Sequence, residues 1–269
     1  MPQPSTRFVH LPDLDITTGI DVCRTFPRHI HESFCIGLVE RGARTVTTPH
    51  EEIRIEPGEL FVLNPQQPHA CAITGTNTFY RVISIKPEVM RSFVASLDET
   101  ASALPVFTAI RVVNDPLAAV IRQLCDLAER DHDPVERERL LAHLLTELIA
   151  HYSDYATDRP CPAVPDSAIQ PARDYIQACY AQKLNLDDLA QTCHLSPYHF
   201  QRVFVEHMGL SPHDYLMHTR IRHSKSLLRQ GMPLADVAQD VGFVDQSHFT
   251  HSFKRIVGLT PGYFARQQQ

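Results

Sequence analysis

Residues 189–212 read LAQTCHLSPYHFQRVFVEHMGLSP, and residues 237–261 read VAQDVGFVDQSHFTHSFKRIVGLTP. The second stretch repeats the first with one inserted residue, at an offset of 48 residues before the insertion and 49 after it. Self-similarity of this length indicates one supersecondary unit that is present twice. The corresponding positions are Ala190/Ala238, Gln191/Gln239, Leu195/Phe243, His199/His248, Phe200/Phe249, Phe204/Phe253, Gly209/Gly258, Leu210/Leu259 and Pro212/Pro261.

Each copy has the pattern of a short helix, a tight turn and a longer helix. We expect the short helices over 186–193 and 234–241, and the longer ones over 196–208 and 245–257. A small residue lets each pair of helices cross closely, and two phenylalanines four positions apart give each longer helix an apolar face. These residues are Ala190, Phe200 and Phe204 in the first copy and Ala238, Phe249 and Phe253 in the second. The sequence therefore predicts two helix-turn-helix units.

A single long helix is expected between the two units, over 211–229. It would hold them at a fixed spacing, and a spacing near one turn of DNA, about 34 Å, suits successive major grooves. Its apolar residues would face inward and its basic residues would be spread around it. The inward set is Tyr215, Ile221, Leu227 and Leu228, and the basic set is Arg220, Arg222, Lys225 and Arg229.

The polar face of each longer helix is the candidate DNA-reading surface. In helix-turn-helix units the second helix enters the major groove, where arginine pairs with guanine and glutamine with adenine. A solvated polar face is the alternative interpretation, but the duplication favours double-stranded DNA as the partner. We predict contacts from Tyr198, His199, Gln201 and Arg202 in the first copy, and from Gln246, Ser247, Thr250, His251, Lys254 and Arg255 in the second.

A proline-rich stretch divides the chain into two domains. Residues 153–168, SDYATDRPCPAVPDSA, contain three prolines and no apolar periodicity, which is typical of a linker. We therefore expect one domain over 1–152 and another over 169–269. The net charge of −6 is uneven, because residues 167–269 hold ten Lys and Arg against eight Asp and Glu. The acidic excess thus belongs to the first domain and does not argue against DNA binding by the second.

The first domain combines strands with two helices. Residues 20–86 contain short alternating apolar runs broken by glycine and proline, which predicts an antiparallel sandwich or barrel. A helical period follows over 115–130 and 134–152. These two amphipathic helices either pack on the sheet or form a dimer interface. The predicted fold is α+β with two domains, the second entirely helical.

The C-terminal motifs resemble those of the AraC/XylS family of transcriptional regulators. Ser196–Phe204 fits S-x-x-x-F-x-R-x-F, and Arg220–Ser224 fits R-I-x-x-S. His251 departs from the family pattern, in which this position often carries arginine. The last motif comprises Val237, Ala238, Gly242, Phe243, Asp245, Ser247, Phe249, Phe253, Lys254, Gly258, Thr260 and Pro261, with Tyr263 and Phe264 close behind. The resemblance covers about 100 residues.

The N-terminal region resembles the cupin-like sensor domain of the same family. The similarity lies in His29-x-His31, Gly42, Pro57-Gly58, Asn64-Pro65 and Pro68-His69. It implies an antiparallel β-barrel whose interior binds a small-molecule effector, and an arginine there would favour a carboxylate or polyol. The implied ligand contacts are His29, His31, Arg41, His69 and Tyr80, with Glu32 and Arg81 next to them.

We expect this sensor to work without a metal or other cofactor. The glutamate that completes a cupin metal shell would fall at Cys35 or Ile36, which do not suit a hard metal ion. The alternative is that His29, His31 and His69 hold zinc or a similar ion, since imidazole suits such metals. The seven scattered cysteines contain no CxxC pair, so neither a disulfide framework nor a zinc knuckle is expected.

The leading hypothesis is a cytoplasmic, non-enzymatic regulator that binds promoter DNA as a homodimer and responds to an effector. The family resemblance implies activation through contact with RNA polymerase. One alternative is a cupin metalloenzyme fused to a DNA-binding module, and another is a ligand-independent DNA-binding dimer. No apolar run approaches the about 18 residues that a membrane span needs, and the first residues lack a signal-peptide pattern, so no membrane association is expected.

Overall fold

A computed structural model describes residues 5–97, 103–130, 133–155 and 168–267. The chain forms two compact units. The first comprises Met1–Thr25 and Ile30–Cys161, and the second comprises Phe26–His29 and Pro162–Gln269. Most of the linker predicted at 153–168 lies outside the described residues.

The described strands are β1 Ser5–His10, β2 Leu14–Val22, β3 Phe26–His29, β4 Phe34–Thr47, β5 Glu52–Ile55, β6 Leu60–Leu63, β7 His69–Ile85 and β8 Arg111–Val112. All of them except β3 lie in the first unit, where the described pairings are antiparallel, as the alternating apolar runs predict. Their order is β1-β2-β7-β4-β6-β8, with β5 paired to β4. This path has two ends, so the sheet formed by the described strands is not closed.

Helices cover one face of this sheet. They are α1 at Pro87–Leu97, α2 at Asp115–Arg130 and α3 at Pro134–Tyr152. The bounds of α2 and α3 confirm the predicted ranges. Ile36 and Leu38 of β4 share one buried cluster with the apolar residues of all three helices. Because side chains alternate along a strand, Cys35 and Val39 face the opposite side of the sheet, where they are also buried.

Two irregularities change this alternation along β4. Val39 pairs with Tyr80, but the register against β7 shifts on both sides of Arg41. Gly42 has a φ of +74°, and a Cβ at this position would lie 2.8 Å from the carbonyl oxygen of Asn77. A glycine is therefore needed for the bulge. Beyond the bulge it is Arg44 that is buried, with 3% of its surface exposed.

Seven helices form the second unit within residues 168–267, in agreement with the helical prediction. Both short helices and both longer helices of the repeat occur, and each bound lies within about one residue of the predicted one. The helices are α4 Gln170–Cys179, α5 Leu186–Thr192, α6 Pro197–Met208, α7 Pro212–Arg229, α8 Leu234–Asp240, α9 Gln246–Val257 and α10 Pro261–Arg266.

Local capping determines where these helices begin and end. The side chains of Ser196, Ser211, Asp245 and Thr260 accept hydrogen bonds from backbone N–H groups in the first turns of α6, α7, α9 and α10. Such caps satisfy donors that would otherwise be unpaired at a helix start. The longer helices α6 and α9 both end at a glycine with positive φ, Gly209 at +63° and Gly258 at +100°.

The duplicated apolar residues form the core of the second unit. Phe200, Phe204, Phe249 and Phe253 are fully buried, and their rings pair within each helix at centroid distances of 5.4 and 5.7 Å. The two small residues Ala190 and Ala238 are 1% exposed, as close helix crossing requires. Helix α7 contacts α6, α8 and α9, so it joins the two helix-turn-helix units.

One of the basic residues expected around the connecting helix is buried. Arg220 is only 7% exposed. Its Nε donates to the carbonyl of Tyr180 and its Nη2 donates to the carbonyl of Gln182, both at 2.8 Å. The guanidinium therefore provides donors to two backbone carbonyls in the turn that follows α4.

Candidate nucleic-acid interface and effector site

The exposed face of α6 carries the four residues predicted for the first copy. Tyr198 is 82% exposed, and His199, Gln201 and Arg202 are exposed beside it. Arg202 Nη2 lies 3.3 Å from His199 Nδ1, so these two side chains form a pair on the surface. The capping bond from Ser196 fixes the start of this helix and thereby the direction in which its first turn points.

The exposed face of α9 carries the six residues predicted for the second copy. Five are exposed, and Thr250 is half-buried. Arg255 Nη2 lies 3.8 Å from Asp214 Oδ1 of α7, which draws this guanidinium towards the connecting helix. The exposed five are Gln246, Ser247, His251, Lys254 and Arg255.

The two faces are equivalent within the repeat. Each lies on the second helix of its unit, on the side opposite a fully buried phenylalanine pair. Each offers donors that bind phosphate or base edges: guanidinium, amide, hydroxyl, imidazole or ammonium groups. The duplicated helix-turn-helix arrangement thus carries two equivalent polar faces.

In the first unit, the predicted effector contact Tyr80 lies on the face of the sheet opposite the helices. It is 6% exposed, and its ring occupies the space that a Cβ on Gly19 would need, 2.4 Å from Tyr80 Cε1. The guanidinium carbon of Arg44 lies 4.5 Å from the ring centroid, and Arg44 Nη1 donates to Thr78 Oγ1 at 3.2 Å. Burial raises the pKa of Tyr80, so the phenol is neutral at neutral pH.

Two of the predicted residues in the first unit are histidines that lie together. The rings of His31 and His69 are 5.1 Å apart at their centroids. His29 Nδ1 lies 2.7 Å from the carbonyl of Pro27, and His69 Nδ1 lies 2.9 Å from that of Gln67. Bonds of this kind orient a histidine ring.

The remaining candidates lie elsewhere. Arg41 is exposed and forms an ion pair with Asp21. Arg81 lies on the helix side of the sheet, where its Nη1 is 2.8 Å from Asp126 Oδ1 of α2 and its Nε is 3.1 Å from Glu40 Oε1. The sequence interpretation did not include Arg44. Only the bulge at Gly42 identifies it, because simple alternation from Val39 would place Arg41 inside instead.

Comparison with known proteins assigns a class to both units. A helix-turn-helix domain model matches residues 189–267, and an AraC-like ligand binding domain model matches residues 16–145. The HTH-type transcriptional regulator YbfI of Bacillus subtilis is 34% identical over 228 residues, which are 84% of this chain and 82% of that protein. The HTH-type transcriptional activator RhaS of Salmonella agona is 25% identical over 88% of this chain and 86% of its own.

The fold of the whole chain also has solved counterparts. The crystal structure of an apo ToxT variant from Vibrio cholerae superposes with a TM-score of 0.62 over 97% of this chain and 100% of its own, at 14% sequence identity. The two units thus define a DNA-binding transcriptional regulator with an N-terminal ligand-binding domain. The chain belongs to the AraC family, which confirms the resemblance seen in its motifs.

Proposed function

We propose that α6 and α9 are the recognition helices of a sequence-specific regulator, and that an effector bound by the first unit alters its occupancy of promoter DNA. The observation that carries this proposal is the repeated geometry: two exposed polar faces, each opposite a fully buried phenylalanine pair. A helix anchored in this way presents its first turns to the major groove. The DNA contacts in this proposal are the ten exposed or half-buried residues of the two faces.

The two faces differ in what they would read. The first offers Gln201 and Arg202, whose forked groups suit base edges. The second offers Lys254 and Arg255 near the end of its helix, which suit phosphates. We infer that α6 contributes more to sequence discrimination and α9 more to the salt-dependent part of the affinity.

Selection of random DNA by the purified protein, followed by binding measurements on the selected site, tests this division. Arg202→Ala should weaken specific binding by about 1–3 kcal/mol and relax the base preference at one position. Lys254→Ala should weaken binding to all sequences and reduce the salt slope by about 1. Arg139→Ala, which removes an exposed arginine of α3, is the matched control and should change neither quantity. If Arg202→Ala keeps the wild-type base preference, the proposed base-reading role of α6 is wrong.

For the effector, we propose contacts from His31, His69 and Tyr80 of the first unit, and from the buried Arg44 in place of the exposed Arg41. Small-molecule sites usually combine a few polar groups of this kind with apolar surroundings. A thermal-shift screen of metabolites identifies the effector. His69→Ala should then leave effector-free DNA affinity unchanged and abolish the response. A protein that binds DNA identically with and without every stabilising metabolite would instead be the ligand-independent regulator.

The two neighbouring histidines of the first unit, His31 and His69, favour a second candidate for this unit, namely the binding of a metal ion such as zinc. Their ring centroids are 5.1 Å apart, and His69 Nδ1 lies 2.9 Å from the carbonyl of Gln67, a contact that orients the ring. Metal analysis of the purified protein and of His69→Ala decides between the two. Stoichiometric zinc that is lost in the variant would support the metal, and a metal-free protein that still binds its effector would exclude it.

We further propose that the protein is cytoplasmic, forms a homodimer and activates transcription through RNA polymerase. These statements are supported by the family's role at promoters and by the relative RhaS, which is named as an activator. Among the described helices, none is long and apolar enough to cross a bilayer. YbfI and RhaS are both named as transcriptional regulators, and no enzymatic activity is proposed for this chain.

A further inference from the structure

The most exposed large apolar side chain in the described part of the chain is Val244. It is 90% exposed, ahead of Tyr198 at 82% and of Val135 at 75%. Single exposed apolar residues are ordinary on protein surfaces and carry no meaning by themselves. The position of this one is informative, because Val244 comes directly before Asp245, the N-cap of the recognition helix α9.

Val244 could have a structural role at the start of α9, but its neighbour Phe243 performs that role. An apolar residue just before an N-cap often packs on the fourth residue of the helix, here Phe249, and fixes the direction of the incoming chain. It is Phe243 that does this, with its ring centroid 5.4 Å from that of Phe249 and 5.1 Å from that of His248. Phe243 is 6% exposed, whereas the side chain of Val244 points away from this packing into solvent.

Val244 adjoins the face of α9 that the proposed function assigns to DNA. Residues 244–248 form a continuous exposed run, and Val244 is the apolar member of it. In the first copy, the exposed apolar residue Tyr198 also lies at the N-terminal end of its recognition helix. The two most exposed large apolar side chains described for this chain therefore lie at the same end of the two helices that would enter the grooves.

The major groove offers one apolar group to such a side chain, the C5-methyl group of thymine. We propose that Val244 is a specificity-determining residue that packs on a thymine methyl group at the N-terminal end of α9. The inference rests on the proposed function, since it requires α9 to enter the groove. It adds to the polar contacts of α9 one apolar contact that selects an A·T pair in a defined orientation.

Substitution of uracil for thymine tests this inference, because uracil keeps the base pair with adenine and lacks only the methyl group. Each thymine in the selected site is replaced in turn by uracil, and the dissociation constant is measured for the wild-type protein and for Val244→Ala. At one thymine, the wild-type protein should lose affinity by about fourfold, as expected for the loss of one buried methyl-sized group. Val244→Ala should bind the two forms of that site equally.

Val135→Ala is the matched control. It truncates another highly exposed valine, in α3 of the first unit, and should keep the full sensitivity to uracil. Because Val244 makes little contact with the protein, Val244→Ala should have the wild-type melting temperature. An unchanged melting temperature would show that a change in DNA binding is not caused by a folding defect.

Two results would overturn the inference in distinguishable ways. If the protein selects a site and both wild type and Val244→Ala lose the same factor at every thymine, Val244 reads no methyl group, and the proposed function stands. If the protein selects no DNA sequence, the proposed function fails and this inference fails with it.

Discussion

Arg220 of α7 donates a hydrogen bond from its Nε to the backbone carbonyl of Tyr180, 2.8 Å away. The same guanidinium donates to the carbonyl of Gln182 and lies 5.7 Å from the ring centroid of Phe243. One buried cation thus connects the turn after α4 to the connecting helix and to the second helix-turn-helix unit. Without the Arg220 guanidinium, the carbonyls of Tyr180 and Gln182 would lose this hydrogen-bond donor.

We therefore expect Arg220→Ala to lower the free energy of unfolding by about 3 kcal/mol, since each hydrogen bond to a charged group contributes roughly 1.5–3 kcal/mol. Arg220→Lys should recover only part of this loss, because an ammonium group cannot reproduce the forked geometry. Urea denaturation followed by circular dichroism gives the values. Arg139→Ala, whose ion pair with Glu136 is largely exposed, should change them by less than about 0.5 kcal/mol.

His223 stacks on Tyr180 with ring centroids 3.8 Å apart and planes inclined by 5°. Burial, and then the charge of Arg222, lowers the pKa of His223 to about 4. An unfolded histidine titrates near 6.5, so the unfolded chain binds the proton more readily. The contribution of this stack to stability should be complete above about pH 6.5 and decline as the pH falls towards 4.

His223→Phe keeps an aromatic ring on Tyr180 and removes the titration. Its free energy of unfolding should therefore fall less between pH 7.5 and pH 5 than that of the wild-type protein. Denaturation curves at these two pH values provide the comparison. Parallel losses in both proteins would mean that another group accounts for the pH dependence.

Two glycines of the second unit have the same backbone conformation in different surroundings. Gly231 has a φ of +80° and nothing within 4 Å of the position that a Cβ would take, whereas Gly242 has a φ of +86° and a Cβ there would lie 2.4 Å from the carbonyl oxygen of Ala181. Gly231→Ala should cost about 1 kcal/mol, the strain of a left-handed backbone alone. Gly242→Ala should cost at least twice as much because the backbone must also move. Equal melting temperatures for the two variants would contradict this account.

Asp245 caps α9 by accepting a hydrogen bond of 2.8 Å from the backbone N–H of His248, and it is exposed beside the face of α9 that we propose to contact DNA. Asp245→Ala should destabilise the protein by about 1 kcal/mol through loss of the cap. Asp245→Asn keeps the cap and removes a negative charge near the phosphates, so its affinity for the selected DNA should rise, by up to about tenfold. Thermal melting and anisotropy titrations separate the two effects. A weaker affinity in Asp245→Asn would show that the carboxylate itself binds a base.

The helical half of this protein could be predicted from its sequence in detail. The repeat defined both helix-turn-helix units, because caps such as Ser196 and Asp245 and end glycines such as Gly209 act locally and are visible as residue types. The role of Arg220 was not predictable, because its interactions are not local. Its partners are backbone carbonyls 38 and 40 residues away along the chain, and no residue type at those positions indicates them.

The sheet was harder to predict, and one feature of β4 explains why. Alternation identifies the inward side chains of a strand only while its register is unbroken. The bulge around Gly42 shifts the phase, so that Arg41 is outside and Arg44 inside. The start of the sheet at Ser5 was not predicted either, because β1 lacks fully buried residues along its length.

The caps at Ser196 and Asp245 have a consequence for how such a regulator can diverge. Each recognition helix starts where its own cap places it, and each is held by phenylalanines that never reach the outer surface. The outward residues can therefore be exchanged without shifting the helix beneath them. If these faces and Val244 read the operator as proposed, a relative with another operator would need to differ only at these positions, and target preference could be transplanted between paralogues by grafting them.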